Sequence, residues 1–241
     1  MKPSYPLLLT SALLAGCASH QPNEGTFVKT HASTDYVNQN LPHAPGADLG
    51  KLDAEGFTII FDGTWTGWRV NENAGSWSIR DGAFRAQGDR SHNFYIGSLQ
   101  PLKNFELKLE IMTEPGSNGG VYIHTKFQDS GWPWGGYETQ VNQTQGDWRK
   151  SGSIYSVKDV KEDEIKTIVK DNEWYTQHVI VKDGTIKIFL NGKLVNEFVE
   201  EPGRQPGKDF ERKLSSGTIA LQAHDPKSVV FYKNIRVKPL D

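Results

Sequence analysis

Three short runs of this chain space hydrogen-bonding and titratable side chains two residues apart. In Gly136-Tyr137-Glu138-Thr139-Gln140-Val141, a period of two puts Glu138 and Gln140 on one face and Tyr137, Thr139 and Val141 on the other. In Ile219-Ala220-Leu221-Gln222-Ala223-His224, Gln222 and His224 lie opposite Ile219 and Leu221. In Val121-Tyr122-Ile123-His124-Thr125-Lys126, the face opposite the apolar residues carries Tyr122, His124 and Lys126. If these strands were neighbours, they would line a polar groove floored by Glu, Gln, His and Lys. Hydrogen bonding and proton exchange are the chemistry of such a set, because an imidazole gives and takes protons near neutral pH. The same pattern can arise on the solvated outer face of any sandwich, although Gln, His and Tyr are less usual there than Lys, Glu and Thr.

Other chemistries lack their signatures. No GxxxxGKS/T or GxGxxG run offers a phosphate cradle, HExxH is absent, and no GxSxG elbow presents a serine. A single cysteine excludes an internal disulfide, a CxxC pair and a multi-cysteine zinc site. With 27 basic against 29 acidic side chains, the chain has no electrostatic footprint for nucleic acid. A retaining or inverting glycosidase needs two carboxylates flanking one bond, and the YETQ run supplies one carboxylate followed by an amide.

The elements that must position these residues are strands. Phe105, Leu107, Leu109 and Ile111 alternate with Glu106, Lys108 and Glu110, and Ile186, Ile188 and Leu190 repeat the pattern. Asp81-Gly82, Asp183-Gly184 and Asn191-Gly192 are dipeptides that tight hairpin turns prefer, because both residues tolerate positive φ. Only 157–169 could form a short helix, and its charges favour a loop. Short strands and frequent turns over 241 residues predict an all-β sandwich or barrel, a single domain over 55–241. Trp77 and Trp174 are expected in its core. Trp132 and Trp134, in Gly131-Trp132-Pro133-Trp134-Gly135-Gly136, lie in a loop without core periodicity and suit stacking on a ligand.

The first residues read as an address. MKPSYPLLLTSALLAGC has a lysine, an apolar run too short for the roughly 20 residues of a membrane span, and small residues before Cys17. Leu14-Ala15-Gly16-Cys17 resembles a bacterial lipobox. Residues 1–16 are therefore expected to be a lipoprotein signal peptide and Cys17 the lipidated residue. Ala18 in place of Asp is consistent with an outer-membrane destination in the cell envelope, facing the periplasm or the surface. Residues 17–54 are polar, rich in Pro, Asn and Gly, and too poor in apolar surface to offset ordering entropy, so they are expected to be a tether. His20, His31 and His43 fall within it at irregular spacing. The membrane is then touched through the lipid alone.

From Gly56 onward, an ordered run of motifs resembles the 3-keto-disaccharide hydrolase domain family. Its LFDG corresponds to Ile60-Phe61-Asp62-Gly63, and its W-x-v-x-DG to Trp77-Ser78-Ile79-Arg80-Asp81-Gly82. Its N-S-G-v-y-f-R corresponds to Asn118-Gly119-Gly120-Val121-Tyr122-Ile123-His124, its GyExQi to the run from Gly136 to Val141, and its tGalY to Ser151-Gly152-Ser153-Ile154-Tyr155. Its closing G-x-I-x-LQ-x-H is Gly217-Thr218-Ile219-Ala220-Leu221-Gln222-Ala223-His224. His124 stands where the family usually has arginine, which loses a bidentate donor and bears on the substrate. Tyr175 follows Trp174 where an asparagine is usual.

The resemblance implies a concanavalin-like jelly roll whose concave face carries the site, and hydrolysis of glycosides already oxidised at C3. A C3 ketone acidifies the C2 proton, so the glycosidic bond can leave by elimination and water can add back. That route needs a base, a donor to the developing enolate and an acid for the leaving oxygen, but no nucleophilic carboxylate. Face and motif together give Glu138 as base or acid and His224 as its complement. Gln140 and Gln222 would hold hydroxyls or orient those two. Asn118, His124, Lys126 and Tyr155 are candidates for the ketone side, although a turn alone explains Asn118 and a core position alone explains Tyr155. No cofactor is called for, and Glu138, His124 and His224 would form a divalent-metal site if they converged. The expected partner is a 3-keto-glycoside or another carbohydrate. A non-catalytic carbohydrate-binding lipoprotein is the alternative, and a purely structural surface protein a third.

Overall fold

The computed structural model describes residues 46–241. The expected signal segment, Cys17 and most of the expected tether, with its three histidines, lie outside the described residues. No helix among the described residues is long and apolar enough to cross a membrane.

Among these residues thirteen strands, numbered in chain order, form two antiparallel sheets. The larger runs β11 (Lys193–Val199), β10 (Thr185–Leu190), β9 (Tyr175–Lys182), β6 (Phe105–Thr113), β13 (Val230–Pro239), β4 (Ala83–Ala86) and β3 (Trp77–Arg80), and β1 (Thr58–Phe61) also pairs with β13. The smaller runs β2 (Trp68–Val70), β5 (Ser91–Tyr95), β12 (Thr218–Ala223), β7 (Asn118–Thr125) and β8 (Tyr137–Asn142). Hairpin neighbours alternate with strands distant in sequence, such as β1 and β4 beside β13 or β12 between β5 and β7, as in a jelly roll. β6 shows strict alternation of buried and half-buried residues, and the three Asx-Gly dipeptides make the turns between β3 and β4, β9 and β10, and β10 and β11. Asp81, Asp183 and Asn191 have φ of 48° and are each followed by a positive-φ glycine, the geometry of a type I′ turn.

One hydrophobic cluster fills the space between the sheets. At one end Phe84 stacks on Phe61 at 3.9 Å and meets Trp65 at 5.0 Å and Trp68 at 5.4 Å. Trp77 is buried there as expected, but Trp174 is 37% exposed on the other sheet, with Lys233 Nζ 3.9 Å from its ring centre. The charged segment after Val157 is mostly loop, with a single turn of helix, α1 (Glu162–Ile165). Residues 46–50 form a turn whose Gly46 and Asp48 N–H groups donate to the two oxygens of Asp62 at 2.9 Å, and Leu52 bridges to Thr58.

Candidate functional site

The smaller sheet presents two rows of side chains on the face away from the core cluster. Pairing of Gln222 with His92 and of Gly120 with Gln140 makes one row across β5, β12, β7 and β8. Phe94, Ala220, Tyr122 and Glu138 make the next. The alternation seen in the sequence is what turns Glu138, Gln140 and Gln222 outward together. Above them lies a cavity of about 290 Å3, at the small end of the usual range for ligand pockets.

Glu138 is at the floor, half-buried, and its surroundings are specific. Gln222 Nε2 donates to Oε1 at 2.9 Å and the Tyr122 hydroxyl donates to Oε2 at 3.0 Å. Gln222 Nε2 also reaches the Tyr122 oxygen at 3.0 Å, closing a triangle of three side chains from three strands. Gly120 makes room for the carboxyl, since an added Cβ there would overlap Glu138 Oε1. Burial pushes the Glu138 carboxyl up to about 7, against the two hydrogen bonds and the Arg212 charge that favour its ionised form. A carboxyl poised there can take or give a proton at neutral pH.

His224, just beyond the end of β12, has its Nδ1 2.7 Å from Asp225 Oδ2. Asp225 also accepts from the Lys227 and Ser228 N–H groups and from the Ser228 hydroxyl at 2.9 Å. Burial raises the Asp225 carboxyl, but these bonds outweigh it and hold the group below its ordinary range. Ionised Asp225 can only accept, so His224 Nδ1 carries a proton and Nε2 is the atom left to act. Trp132 lies against the imidazole with ring centroids 5.4 Å apart and meets His92 on another side at 5.5 Å. His92 is fully buried, and neither of its ring nitrogens has a partner among the described residues. Burial first, then the nearby charges of Arg90 and His224, push it down to about 3. It is a neutral wedge beneath Trp132 and beside Tyr122.

Polar groups continue along the floor, and aromatic rings form the walls. Gln140 Nε2 donates to Asn118 Oδ1 at 3.2 Å, and the Tyr155 hydroxyl donates to Asp147 Oδ2 at 3.3 Å. Trp132, Trp134 and Phe210 line the cavity, Trp134 being 46% exposed. Flat apolar rings above a floor of amides, a carboxyl and an imidazole suit a ligand with apolar faces and a rim of hydroxyls.

Eight of the ten site residues expected from the sequence therefore meet: Glu138, His224, Asn118, Gln140, Tyr155, Gln222, Trp132 and Trp134 all line the cavity. His124 and Lys126 do not. The pairing of β12 with β7 shifts register between Thr218 and Ala220, which face Thr125 and Tyr122, so β7 carries one extra residue there. His124 sits in that bulge with φ of 56°, and its ring turns to Phe105 at 5.6 Å. Its Nε2–H donates to the Lys103 carbonyl at 2.8 Å and its Nδ1 accepts from the Ser215 N–H at 3.2 Å. Lys126 follows the strand end, exposed, away from this cavity. The trio of Glu138, His124 and His224 accordingly does not converge, and the described residues contain no group of three or more His, Cys, Asp or Glu placed to hold a metal. His124 in place of an arginine thus bears on packing, not on a ligand contact.

Arg212 and Phe210 reach the cavity from the irregular segment 200–217, and nothing in their local sequence marks them. Tyr122 was on the polar face by alternation, and its hydroxyl proves to be a direct partner of Glu138.

Known proteins resemble this chain in sequence and in fold. A family model described as a 3-keto-alpha-glucoside-1,2-lyase-like domain matches residues 56–238. A Bacteroides thetaiotaomicron protein named 3-keto-disaccharide hydrolase is 28% identical over 134 residues, 49% of this chain and 46% of that protein. The match thus spans about half the length of that relative. The crystal structure of a candidate glycosyl hydrolase from Parabacteroides distasonis aligns with a TM-score of 0.65 at 25% identity, over 78% of this chain and 95% of that one. Another from the same organism aligns with a TM-score of 0.54 at 22% identity, over 88% and 97%, which speaks to the fold alone.

Proposed function

The chain belongs to the 3-keto-alpha-glucoside-1,2-lyase-like domain family, and from that premise we propose that it cleaves 3-keto-glycosides by elimination followed by addition of water. The observation that carries this reading is the pairing, in one cavity, of a carboxyl poised near neutral pH with an imidazole oriented by Asp225. Glu138 is the only carboxylate among the described residues lining the cavity, so the two-carboxylate geometry of ordinary glycosidases has no support here.

The steps balance with these two groups. Glu138 takes the proton from C2, and the C–H electron pair forms the enolate of the C3 ketone. The enolate collapses to a C1–C2 double bond as the C1–O bond breaks, and protonated His224 Nε2 gives its proton to the departing oxygen. Neutral His224 then takes a proton from water, whose oxygen bonds to C1, and Glu138 returns its proton to C2. Both residues end as they began. In this reading Gln140 and Asn118 would hold hydroxyls and the tryptophans would cover the ring. The proposal includes lipid anchoring at Cys17, which would station the enzyme in the bacterial cell envelope, at the outer membrane.

The direct test incubates the protein with a 3-keto-disaccharide beside its unoxidised parent and follows free sugar. Release from the keto form alone is the expected result. Tryptophan quenching by the keto form without release would favour the carbohydrate-binding alternative, which the aromatic walls also suit. Equal release from both forms would overturn the elimination route.

Gly120 offers a check on how tightly the base is placed. Gly120→Ala adds one methyl group where the Glu138 carboxyl now lies. Its backbone is ordinary strand, where alanine is the better residue by roughly 0.5–1 kcal/mol. Turnover of the keto substrate is expected to fall by about 10–100-fold, the scale of a displacement of about 1 Å, while the melting temperature barely moves. Unchanged turnover would mean that the position of Glu138 is not critical.

A further inference from the structure

Resting on the 3-keto-glycoside reading, we propose that Arg212 is the residue that receives the negative charge developing on the C3 oxygen, and so sets the enzyme's preference for ketosugars. The candidates drawn from the sequence for that task have thinned. His124 and Lys126 lie outside the cavity, and the Tyr155 hydroxyl is given to Asp147. Asn118 remains as a neutral donor. Among the described residues lining the cavity Arg212 is the only guanidinium, and its central carbon lies 5.5 Å from the centre of the Phe210 ring, a neutral neighbour. Other arginines are committed: Arg90 to Glu72 at 3.0 Å, Arg149 to Asp147 at 3.2 Å and Arg236 to Asp53 at 3.2 Å. A half-buried cation that faces the cavity, with a ring beside it and its charge already felt by Glu138, can also meet an anion that develops on a ligand there.

The segment that delivers it is fastened at several points. Glu211, the preceding residue, accepts from the Gly136 N–H at 2.9 Å, and its own N–H donates to the Trp134 carbonyl at 2.8 Å. The Arg212 carbonyl accepts from Arg204 Nε at 2.6 Å. Glu200 Oε2 accepts from the Leu214 N–H at 2.7 Å, and His124 accepts from the Ser215 N–H. Arg212 itself has φ of 44°, in the left-handed region that non-glycine residues avoid. Such a conformation persists only where the surroundings over-determine it, and it recurs where a side chain must be aimed. A guanidinium held in place before charge appears needs no reorganisation when it does. In both enolates of the proposed route the charge rests on the C3 oxygen, so one donor serves elimination and hydration alike.

The rival role for Arg212 is that of a counter-ion that only tunes Glu138, and the experiment separates the two. In D2O the protein is mixed with 1,5-anhydro-3-ketoglucitol, which has no leaving group at C1, and deuterium uptake at C2 is followed by NMR from pH 5 to 9. The wild type is expected to catalyse exchange, with a plateau once Glu138 is ionised. Arg212→Met should lower that plateau about 10²–10³-fold, the usual loss for one donor to an oxyanion. Arg212→Lys should keep part of it, and added guanidinium ion should restore part of the exchange in Arg212→Ala. A plateau unchanged in all three variants, with only its midpoint moved to higher pH, would reduce Arg212 to a counter-ion and overturn the proposal. Wild-type protein that neither exchanges C2 nor cleaves any 3-keto-glycoside would instead remove the reading on which the proposal rests. Thermal melts of each variant report whether the segment still packs, and Arg212→Lys keeps the charge if Arg212→Met does not fold.

Discussion

Glu138→Gln is expected to lower turnover of a 3-keto-glycoside by about 10²–10⁴-fold, the span of general acid–base contributions, and at the same time to stabilise the protein above pH 7. The two effects share one cause. Burial raises the folded-state carboxyl from 4.5 to about 7. Between those values the folded protein holds a proton that the unfolded chain has released, so stability from this group falls as pH rises through the window. Below pH 4.5 both states are protonated and the glutamate costs nothing. Above pH 7 the folded state carries a buried charge whose cost is on the order of 3 kcal/mol, from about 1.4 kcal/mol per pKa unit. A glutamine has no such charge and can keep both contacts, its oxygen accepting from Gln222 and its amide donating to the Tyr122 oxygen. Urea denaturation should therefore give equal stabilities at pH 4 and a variant more stable by about 2–3 kcal/mol at pH 8. On its acid limb the wild-type kcat/KM should rise as pH passes through about 7 and Glu138 ionises. A variant less stable than wild type at pH 8, or still active, would sink the assignment of Glu138 as the buried base.

His224 should show its role through the leaving group. A sugar alcohol departs poorly as an alkoxide and needs a proton, whereas nitrophenolate departs as a stable anion. His224→Ala is thus expected to slow release of sugar from a 3-keto-disaccharide by about 10²–10⁴-fold, while release of nitrophenol from its 3-keto-glucoside falls about tenfold or less. Asp225→Asn should resemble His224→Ala. An asparagine amide that turns its N–H toward Nδ1 favours a proton on Nε2, the wrong tautomer for taking a proton from water. Equal losses on both substrates would assign His224 to binding instead of proton transfer.

Much of this molecule was legible as sequence because the physics is local. Asp81-Gly82, Asp183-Gly184 and Asn191-Gly192 adopt the positive φ values that those residues tolerate, and the strands they join follow from pairing. Alternation also assembled Glu138, Gln140 and Gln222, since parity is kept along an unbroken strand. It failed at His124 for the same reason: one extra residue in β7 reversed the parity, and no local feature of the run announces the bulge. Arg212 was out of reach in another way. Its segment has neither period, and its position depends on bonds to Gly136 and Trp134, 75 or more residues earlier in the chain. Trp174 was misjudged because a large aromatic reads as core, whereas here its face is covered by the ammonium of Lys233.

The triangle of Glu138, Tyr122 and Gln222 draws one member from each of three adjoining strands, while the cavity's rim comes from segments around Trp132–Gly136 and Phe210–Arg212. Heritable variation falls unequally on two such parts. Strand residues are constrained twice, by pairing and by the reaction, whereas rim segments can lengthen or exchange residues without disturbing the sheet. Descendants of this scaffold could keep the proton-transfer step and diversify in the sugars they admit, and a library confined to the rim is where an engineer would look for new substrates.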